Sequence, residues 1–277
     1  MAFALPALLV LAAVVLYPLG HTIVLSFMDD TGNWVGWRNY GRMTSSTVSR
    51  TALWNTLYYV GGSMIFQLGL GTAVGILLNQ KFCGRGAVRS IMLIPWVIPG
   101  IVAATVWAWM FHHEFGIVNY LLQQVGIIGR PVGWLTESAV VLPALIAVNV
   151  WKLVPFVAVM VLAGLQAVPD SLYEAARVDG ATFTDEVRFV MLPQLRPILV
   201  SITLLLLIWG LNGITIIYAM TKGGPANRSL ITPIQIYKQA FEFFRFGEAA
   251  ALSMLFFAAV AVLIGLYIAF FARNEAK

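Results

Sequence analysis

Charge is what this sequence has least of. Asp, Glu, Lys and Arg make up 10% of its 277 residues, against about 25% in a water-soluble domain. Cysteine occurs once, at Cys83, which excludes an intrachain disulfide and a thiolate metal site. Histidine occurs three times, and two of the three are the adjacent His112 and His113, followed by Glu114. Neighbouring residues on a helix point to different faces, so this triplet suits an interfacial loop better than a metal site. There is no Gly-Lys pair, so no glycine-rich Lys-Ser/Thr cradle for a nucleotide phosphate can form. Nor is there a nucleophile elbow, or a pair of carboxylates inside an apolar run, and a membrane enzyme is hard to build from what remains. The net charge of +5 is scattered through loops instead of forming a basic stripe, which argues against nucleic-acid binding.

Apolar residues fill the place of the missing charge. They form 60% of the chain, and the mean hydropathy is +0.85. About 18–20 consecutive apolar residues cross ~30 Å of hydrocarbon. Six runs of that kind are predicted: Ala2–Phe27, Trp54–Leu78, Ser90–Phe111, Ala139–Gly164, Ile198–Met220 and Ala249–Ala272. Each is expected to be a helix, because a lone strand leaves its backbone unsatisfied in lipid. The first run has neither the basic start nor the small-residue cleavage site of a signal peptide, and is read as a retained helix. Trp54, Trp107, Trp109, Tyr218 and Tyr267 lie near span ends, where amphipathic rings favour the interface.

Three connections fall on one side, Met28–Leu53, His112–Ser138 and Thr221–Glu248. Asn79–Arg89, Leu165–Pro197 and both termini fall on the other. Each side carries eight Lys and Arg residues, so charge barely decides orientation. The cluster Lys81, Arg85 and Arg89 in one short loop tips the reading toward cytoplasmic termini.

Leu165–Pro197 is too charged to cross a membrane and too helical for a plain loop. Ser171 and Glu174 have capping-box spacing, and Gly180 supplies a helix stop. A second helix is expected over Phe183–Met191, with Pro193 and Pro197 breaking and redirecting the chain into the fifth span. The small Ala175 and Ala176 let another surface approach, and Glu174 offers a charge to a basic partner. Such an element suits docking into a groove on another protein, or, more plainly, an amphipathic interfacial hairpin without a partner.

The spacing Glu174-Ala175-Ala176, three residues, Gly180, nine residues, Val190, one residue, Leu192-Pro193 resembles the EAA motif of bacterial ABC importer permeases, where Ile usually stands in place of Val190. Tyr17-Pro18 to Ser26-Phe27, Asn55-Thr56, Ala163-Gly164-Leu165-Gln166 and Gly223-Gly224-Pro225 are similar to the carbohydrate-uptake branch, maltose permeases included. The sequence departs from that branch in its very short tail before the first span and in having no large extracytoplasmic insertion. The resemblance implies an all-α integral membrane protein with the six-transmembrane-helix type I ABC importer permease fold. Residues 1–53 would then hold the first span and an extracytoplasmic loop, and residues 54–277 a five-helix core bearing a cytoplasmic coupling element at 165–197. It implies a bacterial inner-membrane location, a second permease subunit, two copies of an ATPase subunit and an extracytoplasmic binding protein. ATP and Mg would sit in the ATPase, with no cofactor on this chain. Coupling residues carried over by the motif are Leu172, Tyr173, Glu174, Ala175, Ala176, Asp179, Gly180 and Ala181.

Polar residues inside spans are costly and face the bundle interior or water. Gln67, Asn149, Trp151, Lys152, Thr203, Asn212, Thr215 and Tyr218 are therefore the candidates for a translocation pathway. Lys152 must pair, snorkel or face water. The neutral side chains suit helix–helix hydrogen bonding as well as sugar contact. Trp151 and Trp209 can stack on a sugar ring or simply pack. Two alternatives stay open. One is a permease for another polar solute, such as glycerol phosphate or a polyamine. The other is an ATPase-independent channel or receptor, which leaves the 165–197 element unexplained.

Overall fold

A computed structural model of the chain describes residues 10–275. Among the described residues the regular structure is helical, apart from a single bridge between Met28 and Trp34. The helices are α1 (Tyr17–Ser26), α2 (Arg38–Ser45), α3 (Thr47–Asn79), α4 (Arg85–Val97), α5 (Gly100–Met110), α6 (Ile117–Gln124), α7 (Val141–Gln166), α8 (Asp170–Val178), α9 (Leu192–Asn212), α10 (Thr215–Thr221), α11 (Thr232–Tyr237) and α12 (Phe246–Glu275).

Four helical stretches are long and apolar enough to cross a membrane: α3, α7, Phe183–Thr221 and Phe246–Phe271. The α4–α5 pair makes a fifth if counted as one bent span. The first expected span is represented by the shorter apolar helix Ala12–Ser26, and its first residues, 2–9, lie outside the described part. The second and sixth spans begin earlier than hydropathy marks them, because α3 starts at Thr47 and α12 at Phe246.

Two expectations need correction. The third span, expected to be continuous over Ser90–Phe111, is two helices meeting at 94°. Pro99 lacks an N–H and disfavours helical backbone at the residue before it. Ile98 accordingly sits at ψ 130° and Pro99 at ψ 136°. Pro193 and Pro197, in contrast, do not break the fifth span. The helix runs on through both, after a π-turn at Glu186–Met191. Pro193 stands in the first turn of the α-helical stretch Leu192–Asn212 that follows the π-turn, where proline is tolerated. The fifth span is interrupted further on, at Gly213 (ψ 99°), between α9 and α10.

The described residues form two compact units, one made of the chain up to Thr56 together with Leu230 onward, the other Leu57–Ser229. In the first unit, α12 packs on α1, α2 and α11. Buried Glu248 at the start of α12 pairs with Arg42 at 3.0 Å and Arg245 at 3.6 Å. Asn39 donates to the Ser26 and Met28 carbonyls, and Gln235 donates to Ser49 Oγ at 2.8 Å.

The second unit is built on a close crossing of α3 and α7. A Cβ on Gly71 would come within 2.5 Å of Val157, and one on Gly75 within 2.8 Å of the Ala158 carbonyl and Val161. Gly71 and Gly75 stand four apart, the small-xxx-small spacing by which membrane helices approach closely without a hydrophobic driving force. Below this crossing, Ile76, Val157, Val161, Leu165, Met191 and Leu195 form a buried cluster with Ile202 and Leu206.

Candidate translocation cavity and coupling hairpin

The 165–197 segment folds as a hairpin at the Ile76–Leu165 end of the second unit. Helix α8 starts at Asp170 behind Pro169, with no side-chain cap. The capping box expected from Ser171 and Glu174 is absent, because Ser171 is already inside the helix. The box forms one step later, at Thr182 and Asp185. The Thr182 N–H donates to Asp185 Oδ2 at 2.9 Å, and the Asp185 N–H donates to Thr182 Oγ1 at 3.4 Å. The Thr182 hydroxyl, which donates to Asp185 Oδ2, and then the Thr182 N–H hold the Asp185 carboxyl below its usual value. Gly180 ends α8 as its spacing suggested. At φ +80° it lets Ala181 N–H reach the Ala176 carbonyl at 2.9 Å while its own N–H reaches that of Arg177 at 3.0 Å. This is the double closure of a Schellman stop.

The faces of α8 divide cleanly. Leu172, Glu174, Ala175, Val178, Asp179 and Gly180 are exposed, and Val178 keeps 87% of its surface open. Tyr173, Ala176 and Ala181 are half-buried. Tyr173 packs against the buried cluster. Its phenol is pushed up in pKa by burial first and by Glu186 and Asp170 second. Arg177 Nε donates to Glu186 Oε1 at 2.7 Å, and Glu186 is buried. The ion pair and the ring moor the helix from behind and leave its outer face free.

Midway along α3 and α7 lies a cavity of about 170 Å³. Its polar lining is Tyr59, Ser63 and Gln67 from α3, Asn149 and Lys152 from α7, Trp209 from α9 and Thr215 from α10. Gln67, 1% exposed, donates to the Asn149 carbonyl at 3.3 Å. Ser63, 2% exposed, has no hydrogen-bond partner at its hydroxyl. The ammonium of Lys152 donates to the Ile98 carbonyl, with Trp96 O at 3.4 Å and Pro95 O at 3.5 Å.

Of the eight pathway candidates, the cavity therefore brings together Gln67, Asn149, Lys152 and Thr215. Trp151 faces a separate apolar groove with Phe66, Met92 and Pro155, and its ring meets Trp107 edge-on at 5.4 Å. Thr203 and Asn212 return their side chains to their own helix, at the Leu199 and Ile208 carbonyls. Tyr218, half-buried on α10, is not among the lining residues. Two polar lining residues were missed from sequence, Tyr59 and Ser63. Ser63 stands four before Gln67, so helical spacing from an already suspicious glutamine was the available signal. Among the described residues no group of three His, Cys, Asp or Glu side chains is placed to hold a metal ion, and the Glu114 N–H donates to His112 Nδ1 at 3.3 Å. The His112 ring instead stacks on Phe115 with centroids 3.5 Å apart.

Comparison with known proteins places this geometry. Residues 67–274 match the family described as binding-protein-dependent transport system inner membrane component. The chain is 34% identical over 264 residues to the trehalose/maltose transport system permease protein MalF of Thermococcus litoralis, covering 92% of this chain and 88% of that one. It is 31% identical over 259 residues to the sulfoquinovosyl glycerol transport system permease protein SmoG of Agrobacterium fabrum, covering 91% and 83%. Its fold superposes with a TM-score of 0.87, at 24% identity, on a chain of a bacterial ABC transporter involved in importing the acidic polysaccharide alginate, over 100% of this chain and 95% of that one.

Proposed function

Because the chain belongs to the family of binding-protein-dependent inner membrane transport components, we propose that it forms one half of a sugar pathway driven by a separate ATPase subunit. It is a multi-pass permease with the six-helix importer fold. The observation that carries the coupling half of the reading is the moored hairpin, an exposed helix end backed by Tyr173 and the Arg177–Glu186 pair. A motor pushing on Leu172, Glu174 and Val178 would move the α3–α7–α9 bundle as a body rather than bend a loop. In that reading Glu174 pairs with a basic residue of the ATPase, and Gly180 sets the turn that presents the helix. Two ATPase copies, bearing ATP and Mg, a second permease and both termini on the hairpin's side complete the assembly.

Sugar is favoured as cargo by the relatives named as transport-system permeases for trehalose/maltose and for sulfoquinovosyl glycerol. The cavity's mixture of hydroxyl, amide and indole groups suits hydroxyl-rich solutes. A phosphate ester is disfavoured, because among the described residues Lys152 is the only cation lining the cavity and its donors already face carbonyls. At about 170 Å³ the cavity is smaller than a usual ligand site of roughly 300–1,000 Å³, which fits a pathway completed by the second permease.

The test is co-purification of the cognate ATPase, followed by ATP-dependent uptake in vesicles with each candidate sugar on the binding protein. Glu174→Ala and Gly180→Val are expected to abolish uptake while leaving membrane insertion intact. Gly180→Val adds strain, since its φ of +80° disfavours a branched side chain. Full ATP-coupled uptake by either variant would overturn the coupling assignment.

A further inference from the structure

The break in the third span strips hydrogen bonds from particular carbonyls. In a continuous helix the Pro95 carbonyl would accept from residue 99 and the Trp96 carbonyl from residue 100. Residue 99 is a proline without an N–H, and the two extended residues at 98 and 99 carry Gly100 away. An unpaired carbonyl in a membrane interior is expensive. The Ile98 carbonyl lies outside both helices and has the same difficulty.

Lys152 lies on α7, 54 residues further along the chain, and its ammonium meets all three of these carbonyls. An ammonium has three donors and no acceptor, and here three acceptors face it. The Pro95 and Trp96 carbonyls also belong to the C-terminal end of α4, the negative pole of a helix. The charge that looked anomalous in an apolar span and the carbonyls orphaned by Pro99 thus answer one another. The α5 segment that follows places Gly100 against Thr215, where an added Cβ would come within 3.3 Å of the threonine methyl. Gly100 and Thr215 are both part of the cavity wall.

We propose that Lys152 is a positioning residue: its ammonium clips the Ile98-Pro99 elbow of the third span to α7 and so sets the wall of the cavity, with no donor left over to bind the solute. This rests on the cavity being the pathway only for its functional meaning. The clip itself is testable without ATP, sugar or any partner's identity.

The experiment is a distance measurement across the elbow by pulsed electron resonance on the full chain in lipid nanodiscs. Exposed Cys83 is first replaced by Ser. Spin labels then go on Val88→Cys in α4 and Trp109→Cys in α5, both exposed positions. With Lys152 present, one narrow distance is expected. Lys152→Met, similar in length but without donors, is expected at least to double the width of the distribution. Lys152→Arg, which keeps a cation with several donors, is expected to restore a single narrow peak. A Met variant as narrow as the parent, or an Arg variant as broad as Met, overturns the proposal. Should Lys152→Met fail to accumulate in the membrane, Lys152→Gln takes its place. It keeps two donors on a shorter stem and is expected to fall between parent and Met, and a distribution as narrow as the parent's would again overturn the clip. If transport were to fail as an assignment while Met broadened and Arg restored the distance, the clip would stand.

Discussion

Arg177 and Glu186 join a solvent-facing helix to a buried turn: the arginine side chain is 64% exposed, the glutamate side chain 8%, and 2.7 Å separates Nε from Oε1. The pair is asymmetric. Removing the arginine leaves a buried carboxylate unpaired, and removing the carboxylate frees an arginine that can turn to water. We therefore expect Arg177→Ala to loosen the hairpin more than Glu186→Gln. The double variant should recover part of the loss, a coupling of about 0.5–3 kcal/mol in a double-mutant cycle. Hydrogen exchange over residues 170–191 is the measurement; equal loosening by the two single variants would refute the asymmetry, and strict additivity of the two changes would refute the coupling.

Tyr173 is expected to work as an apolar anchor. Its ring packs on the buried cluster, and its hydroxyl is buried without a partner. Removing an unpaired buried hydroxyl is neutral or stabilising, whereas losing the ring costs about 3–5 kcal/mol. Tyr173→Phe should retain thermal stability and ATP-coupled uptake, and Tyr173→Ala should lose both. Loss of uptake in the Phe variant would mean that the hydroxyl has a role of its own.

The α3–α7 crossing gives a matched pair of substitutions. An added methyl at Gly75 meets backbone and Val161, whereas one at Gly69 meets nothing within 4 Å. Gly75→Ala is expected to lower stability by about 1–3 kcal/mol through overpacking. Gly69→Ala should be neutral or slightly stabilising, since alanine favours the helix. Thermal melts in one detergent compare them directly, and equal melting temperatures would show that the crossing tolerates a wider gap.

Ser63 separates a solute contact from a structural one. Its hydroxyl has no protein partner, so Ser63→Ala should leave the melting temperature unchanged. If a sugar hydroxyl uses it during passage, the variant needs severalfold more substrate for half-maximal uptake, in line with about 0.5–1.5 kcal/mol for one hydrogen bond. Unaltered uptake would remove Ser63 from the pathway.

What composition and spacing settled on their own is the class of solvent and the helix with its stop inside the 165–197 segment. Sparse charge and six apolar runs demand helices in lipid, and the Glu174–Gly180 spacing marks a helix with a stop, because both follow from local rules that act within a few residues. The position of the capping box was misplaced by that same local reasoning. Ser171 and Thr182 each stand three residues before an acidic side chain, and only the backbone course after Pro169 and Gly180 selects Thr182. The cavity was half legible. Polarity inside a span singled out Gln67, Asn149, Lys152 and Thr215, yet it equally singled out Thr203 and Asn212, which bond to their own helices. Which polar group turns inward depends on how helices cross, and that is set by close approaches such as Gly75 against Ala158. The partner of Lys152 was beyond sequence altogether. It is a set of main-chain carbonyls, identical in every residue, whose availability depends on a break at Pro99 and on α7 lying alongside it in space.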